Sequence, residues 1–152
     1  MIQEVGFLFV TKEGRRDHKL KALGRHVLAE IYEADSSVLN DEGAIQKIMV
    51  DAAIAAKATV VNSVFHKFSP YGVSGVVIIA ESHLSIHTWP EHKYAAMDFF
   101  TCGDEVDPWV AFKFAAKGLK SAKYSTVELQ RGTLDVPAEK LTYKPYKLAR
   151  AS

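Results

Sequence analysis

From about Leu23 onward, apolar positions fall into short runs separated by polar turns. His26 to Tyr32 (HVLAEIY) is rich in apolar and β-forming residues and predicts a strand. Ser36 to Asp41 is polar and offers several helix caps. Ile45, Ile48, Met49, Ala52, Ala53 and Ala56 then recur at helical spacing, which predicts a helix from about Asp41 to Lys57 with one apolar stripe. Thr59 to Phe68 reads as a strand, Ser69-Pro70-Tyr71-Gly72 as a turn, and Val73 to Ala80 as the second arm of a hairpin. The run Val76-Val77-Ile78-Ile79 predicts burial on both faces. In Glu81 to Thr88 the parity changes: Glu81, His83, Ser85 and His87 share one face of an extended segment, with Leu84 and Ile86 on the other. Tyr94 to Thr101 and Tyr124 to Leu129 are further strands. Asp107-Pro108 opens a helix whose inner face carries Trp109, Phe112, Ala116 and Leu119.

Short turns favour antiparallel pairing, and two helices suffice to cover one sheet face. The expected fold class is α+β, a two-layer sandwich of a mainly antiparallel sheet with two helices on one face. Residues 1–22 read as an N-terminal extension, with a short apolar strand (Val5 to Val10) and then the charged run Lys12 to Asp17. Residues 23–132 form the domain, and 133–152 a polar, mildly basic tail.

Composition narrows the function classes. A chain of 152 residues suits one domain, and 48% hydrophobic with 24% charged residues is ordinary for a globular protein. A net charge of +1 gives no global attraction to nucleic acid or anionic lipid. Cys102 is the only cysteine, so no intrachain disulfide forms, and a lone thiol suits a reducing, cytoplasmic compartment. Val5 to Val10 lacks a basic region before it, and nowhere do about 18 apolar residues run together, so neither a targeting segment nor a membrane span is expected.

Candidate chemistry gathers between Phe65 and Cys102, with His66, Ser74, Glu81, Ser82, His83, Ser85, His87, Glu91, His92 and Cys102. A metal site is disfavoured, because there is no cysteine pair, no HExxH and no regular tetrahedral-ligand spacing. A serine or cysteine hydrolase is disfavoured too, since no G-x-S-x-G elbow is present and Ser82 precedes a strand, not a helix. Taken singly, His66 and His92 fit surface roles, and Phe68 and Trp89 fit a core. The polar face beginning at Glu81 is harder to assign to structure, because it follows one of the most apolar strands of the chain.

The stretch FHKFSPYGVSGVVIIAESHLSIHTWPEHKYAAMDFFTCG, Phe65 to Gly103, closely resembles the short prokaryotic S-adenosylmethionine decarboxylase family. The resemblance extends from about Leu23 (LGRHVLAEIYEAD) through Asp107-Pro108-Trp109 to about Gly132. ESHLSIHTWPE with TCG downstream is its specific signature. One departure is His92-Lys93, where relatives often have Tyr-Gly.

The resemblance implies a cofactor made from the chain itself. Ser82 would attack the carbonyl carbon of Glu81, with Ser74 assisting by hydrogen bonding. His87 would then remove the α-proton of residue 82, so that β-elimination and loss of ammonia leave a pyruvoyl group and two chains, Met1 to Glu81 and 82 to Ser152. The pyruvoyl ketone forms a Schiff base with the amine of S-adenosylmethionine, and its amide carbonyl takes up the electrons as carbon dioxide leaves. Cys102 matches the proton donor to the α-carbon, a role that suits a thiol. Phe68 and Trp89 match positions at the adenosyl pocket, where aromatic faces stack on adenine and attract the sulfonium, and Glu91 matches the ribose ligand. The product would supply the aminopropyl group for spermidine synthesis, and the sites would lie between two copies in a homodimer. A pyruvoyl decarboxylase of arginine or ornithine is the alternative within this chemistry. An unprocessed, non-catalytic regulatory subunit is the alternative outside it.

Overall fold

The structure, a computed structural model, describes residues 22–142. The strand expected at Val5 to Val10, the extension up to residue 21 and residues 143–152 lie outside the described residues. Among those described, six strands form one sheet: β1 (Ala22–Tyr32), β2 (Val60–Lys67), β3 (Val73–Ile79), β4 (Ser82–Trp89), β5 (Tyr94–Cys102) and β6 (Lys123–Thr133). Their order is β2-β3-β4-β5-β1-β6, and every neighbouring pair runs antiparallel. The α+β two-layer expectation holds. The described residues hold three α-helices where two were expected: α1 (Ser36–Leu39), α2 (Glu42–Ala55) and α3 (Pro108–Gly118).

The extra helix follows from its cap. The Asp35 carboxylate accepts from the backbone N–H groups of Ser37 at 2.9 Å and Val38 at 3.2 Å, which starts a turn that ends after four residues. Four residues are too few for helical periodicity to register. Asp41 caps α2 through Ala44 N–H at 3.0 Å, and Asp107 caps α3 through Trp109 N–H at 3.1 Å. Pro108 takes the first helical position, where its missing donor costs nothing.

The core lies between the helices and one face of the sheet. Ile45, Met49, Ala52 and Ala53 from α2 and Phe112 and Leu119 from the α3 segment bury against Val27, Ile31, Val77, Leu84, Ile86 and Phe99. Phe99 meets Phe112 edge to face at 6.1 Å. Neighbouring positions on each strand face away from the helices. That corrects the expectation for Val76 to Ile79. Val77 and Ile79 are buried, but Ile78 is 42% exposed, because helices cover only one face. Leu28, Val64, Val127 and Leu129 are exposed on the same open face.

Two backbone positions carry left-handed geometry near the polar segment. Glu81 has φ +73° and Lys93 has φ +51°. A side chain there costs about 1–2 kcal/mol, whereas glycine takes the conformation freely but loses more entropy on folding. Lys93 closes the short 3-10 turn Pro90–His92, and its carbonyl accepts from Ala34 N–H at 3.0 Å, a bond that needs no side chain. Lys93→Gly should therefore stabilise the fold by about 0.5–1 kcal/mol, read as a rise in the midpoint of urea unfolding.

At the other edge, Arg25 binds Glu128 at 2.7 Å and Asp107 at 3.3 Å, joining β1 to β6 and to the start of α3. The hydrogen bond from Arg25 holds the Glu128 carboxyl below its ordinary value, outweighing the opposing effect of burial. A depressed carboxylate contributes stability above its unfolded value and loses it as pH falls through the folded one. Stability should thus decline more steeply below about pH 4.5 in the wild type than in Glu128→Gln, measured by urea unfolding from about pH 6 to about pH 3.

Candidate active site

The bond between residues 81 and 82 sits at the tip of a tight hairpin. Ile79 pairs with Ser82, so Ala80 and Glu81 alone make the turn between β3 and β4. Reversing the chain in two residues demands unusual dihedrals, and Glu81 supplies them with its positive φ. Glu81 is therefore a turn residue and does not share a strand face with His83, Ser85 and His87, as the parity of the segment predicts. The other members obey that parity: Leu84 and Ile86 are buried, and the two histidines and Ser85 point to the open face.

The Ser82 hydroxyl donates to its neighbour's carbonyl, Glu81 O, at 2.5 Å, and lies 3.1 Å from Cys102 Sγ. Cys102 ends β5, opposite Gly24 of β1. A methyl group on Gly24 would come within 2.6 Å of Thr101 O and 2.7 Å of the Phe100 ring, so the close approach of β5 beside Cys102 requires a glycine there. Register continues from the His83–Phe100 pair to set Ser82 opposite Thr101, whose buried Oγ1 has no hydrogen-bond partner among the described residues. Glu81 and Cys102 line a cavity of about 530 Å³ with Lys57, Thr59 and Gly103. A hydroxyl, the carbonyl of a left-handed turn residue and a thiol thus meet at one peptide bond.

A second group lies at the other end of the same hairpin. Ser74 Oγ is 2.7 Å from His87 Nδ1, and the two residues are cross-strand partners. Trp89 follows on the same face, its ring 6.5 Å from that of His87 and 5.3 Å from that of Tyr94. Phe68 lies in the β2–β3 connection, with its ring edge-on to His66 at 4.7 Å. Phe68 is 50% exposed and Trp89 39%, which removes the reading of either as core. Glu91, exposed in the Pro90–His92 turn, lines a cleft of about 930 Å³ with Ser36, Asn40, Lys67 and Tyr71.

The expected site residues therefore separate into two sets. Glu81, Ser82 and Cys102 stand at one end of the strands, and Phe68, Ser74, His87, Trp89 and Glu91 at the other. His87 lies five residues along β4 from Ser82, about 16 Å at the rise of an extended strand. No side-chain reach closes that gap within one copy.

Residues outside the expected set surround both ends. Asp98 accepts hydrogen bonds from His83, His26 and Ser85 on the open face. Burial would raise its carboxyl, but these three donors together hold it below the ordinary value. At the other end, Tyr94 donates to Glu30, and burial with that carboxylate pushes the phenol up to about 12, so it keeps its proton. The alternation of β5 offers the signal for Asp98: a lone acid between Met97 and Phe99 shares the face of Ala96 and Phe100.

A family model described as S-adenosylmethionine decarboxylase matches residues 25–132. The chain is 57% identical over 116 residues to an S-adenosylmethionine decarboxylase proenzyme from Thermosipho melanesiensis, an alignment covering 76% of this chain and 89% of that one. It is 53% identical over 120 residues to the proenzyme of that name from Caldicellulosiruptor saccharolyticus, covering 79% and 97%. The crystal structure of the adenosylmethionine decarboxylase from Aquifex aeolicus superposes with a TM-score of 0.72 at 32% identity, over 82% of this chain and 99% of the other. By the family model over residues 25–132 and by these relatives, the chain belongs to the S-adenosylmethionine decarboxylase family.

Proposed function

We propose that this protein is an S-adenosylmethionine decarboxylase that cuts itself between Glu81 and Ser82 and carries a pyruvoyl group made from Ser82. The observation that carries the reading is the Ser82 hydroxyl, held 2.5 Å from the carbonyl oxygen of a left-handed Glu81. Its Oγ bonds to the Glu81 carbonyl carbon while the C–N bond to Ser82 breaks, turning an amide into an ester. Removal of the α-proton of residue 82 then expels the Glu81 carboxylate. The dehydroalanine left behind takes up water and loses ammonia.

These residues suit the cofactor: a serine at a strained bond, a thiol at 3.1 Å and an unpaired donor across the strand. When formed, the pyruvoyl supplies a ketone for the substrate amine and a conjugated carbonyl that takes up the electrons of decarboxylation. Cys102 delivers the proton to the α-carbon. Trp89 and Phe68 offer half-exposed aromatic faces to the adenine and the sulfonium, and Glu91 accepts from the ribose hydroxyls.

The base must come from elsewhere than the same copy, since His87 stands about 16 Å from Ser82 along β4. Two copies joined through their open faces resolve this. A two-fold axis passing between the two ends of this face would set the His87–Ser74 end of one protomer against the Ser82–Cys102 end of the other, twice. Leu28, Val64, Ile78, Val127 and Leu129 are exposed on that face, as a homodimer interface requires.

Intact mass spectrometry of purified protein tests the reading. Two polypeptides meeting at the 81–82 bond are expected, the second with a pyruvoyl end that resists Edman chemistry. Carbon dioxide should be released from S-adenosylmethionine and not from arginine or ornithine. A single uncut chain after long incubation would sink the proposal.

A further inference from the structure

Asp98 is the most heavily engaged polar group of the open face. Its Oδ1 accepts from His83 Nε2 at 2.9 Å and from His26 Nε2 at 3.2 Å, and its Oδ2 accepts from the Ser85 hydroxyl. Arg131 Nη1 lies 2.8 Å from His26 Nδ1. A guanidinium only donates, so Nδ1 accepts and Nε2 carries the hydrogen that points at Asp98. Phe100 packs against both imidazoles, at 5.2 and 5.8 Å between centroids, and fixes their planes.

The ligand atoms of His26, His83 and Asp98 lie within 4.8 Å of one another, a spacing a metal ion accepts. Their chemistry points elsewhere. Arg131 commits His26 to presenting an N–H, not a lone pair, and sets a fixed positive charge beside the cluster. The arrangement is a hydrogen-bonded hub.

What the hub holds follows from chain position. His83 is covalently next to residue 82, and Ser85 is two residues further on the same face of β4. Before cleavage the start of β4 is pinned by the Ala80–Glu81 turn. After it, residue 82 begins a chain, and chain ends fray unless something ties them down. The two side chains nearest that end on the open face are both anchored on Asp98.

Resting on the pyruvoyl reading above, we infer that Asp98 is a positioning residue for decarboxylation: through His83 and Ser85 it keeps the new end of β4 in register, so that the group at position 82 stays against Cys102.

The test compares Asp98→Asn with wild type before and after the cut. Processing should reach completion, because the uncut strand is held at both ends. Turnover should then fall about 10- to 100-fold, the cost of slight misplacement at a reacting centre. KM should stay within about twofold, since the adenosyl contacts belong to the other set of residues. Hydrogen exchange of the amides of residues 83–86 should quicken in the processed variant. In the uncut Ser82→Ala background, adding Asp98→Asn should leave those amides as protected as in Ser82→Ala alone. Wild-type turnover and exchange in a folded, processed Asp98→Asn overturn the inference, and so does equal loss of protection in cut and uncut forms. If Asp98→Asn does not fold, Ser85→Ala removes one anchor only, and the same measurements apply with a smaller fall in turnover; no fall overturns the inference. A wild-type chain that stays whole is a different result, which removes the function reading itself.

Discussion

Ser82→Ala should leave the protein as one uncut chain with no decarboxylase activity, at any incubation time. The methyl group that remains cannot attack the Glu81 carbonyl, and among the described residues no other hydroxyl approaches that oxygen as Ser82 does at 2.5 Å. The fold should survive, because Ser82 opens β4 and the backbone pairing with Ile79 needs no side chain. Thermal unfolding close to wild type, with a single species by intact mass, is the expected pair of results. Efficient cutting of Ser82→Ala would move the cofactor to another residue and end the present assignment.

The second large effect comes from mixing two dead proteins. His87→Ala and Ser82→Ala should each remain uncut when made separately. Co-expressed with different affinity tags, they should form mixed dimers in which the His87→Ala chain is cut and the Ser82→Ala chain is not. The reason is geometric. Five residues of strand separate His87 from Ser82 in one copy, about 16 Å, while the proposed two-fold dimer would bring one protomer's His87 to its partner's Ser82. The mixed dimer holds one complete site and one lacking both groups, so activity should recover toward half of the wild-type value per dimer. Cutting of His87→Ala in the absence of the other chain would remove the histidine from processing. Failure of the mixture to cut, with mixed dimers confirmed by pull-down, would remove the shared site.

Period and caps make most of this fold legible in the sequence. The stripe from Ile45 to Ala56 and the Asp107-Pro108 cap identify two helices, and alternation in 82–88 separates Leu84 and Ile86 from the histidines. Alternation tells which residues share a face and is silent on whether that face is covered, which is why Ile78 reads as buried and is exposed. The start of β1 escapes detection because Leu23-Gly24-Arg25 holds weak strand formers, and pairing with both β5 and β6 makes it a strand. The site residues come from the resemblance. Their division into two ends is nonetheless implicit in the sequence, because an extended segment from 82 to 87 already sets its termini far apart. Asp98 is hidden for a different cause: its partners His26 and His83 come from two other elements, and only register brings the three together.

The order of the sheet has a consequence for the proposed cut. Cleavage after Glu81 would assign β1, β2 and β3 to one product and β4, β5 and β6 to the other. In the sheet these products are interleaved, because β1 lies between β5 and β6, both of the opposite product, and β3 borders β4. Neither piece can leave without breaking ladders on several edges, so the two behave as one body although no covalent bond joins them. Unfolding changes that relation for good. Once separated in denaturant, the halves must find each other again, and recovery becomes a second-order, concentration-dependent process. The uncut chain would refold as one molecule, whereas the cut one would have to refold as two.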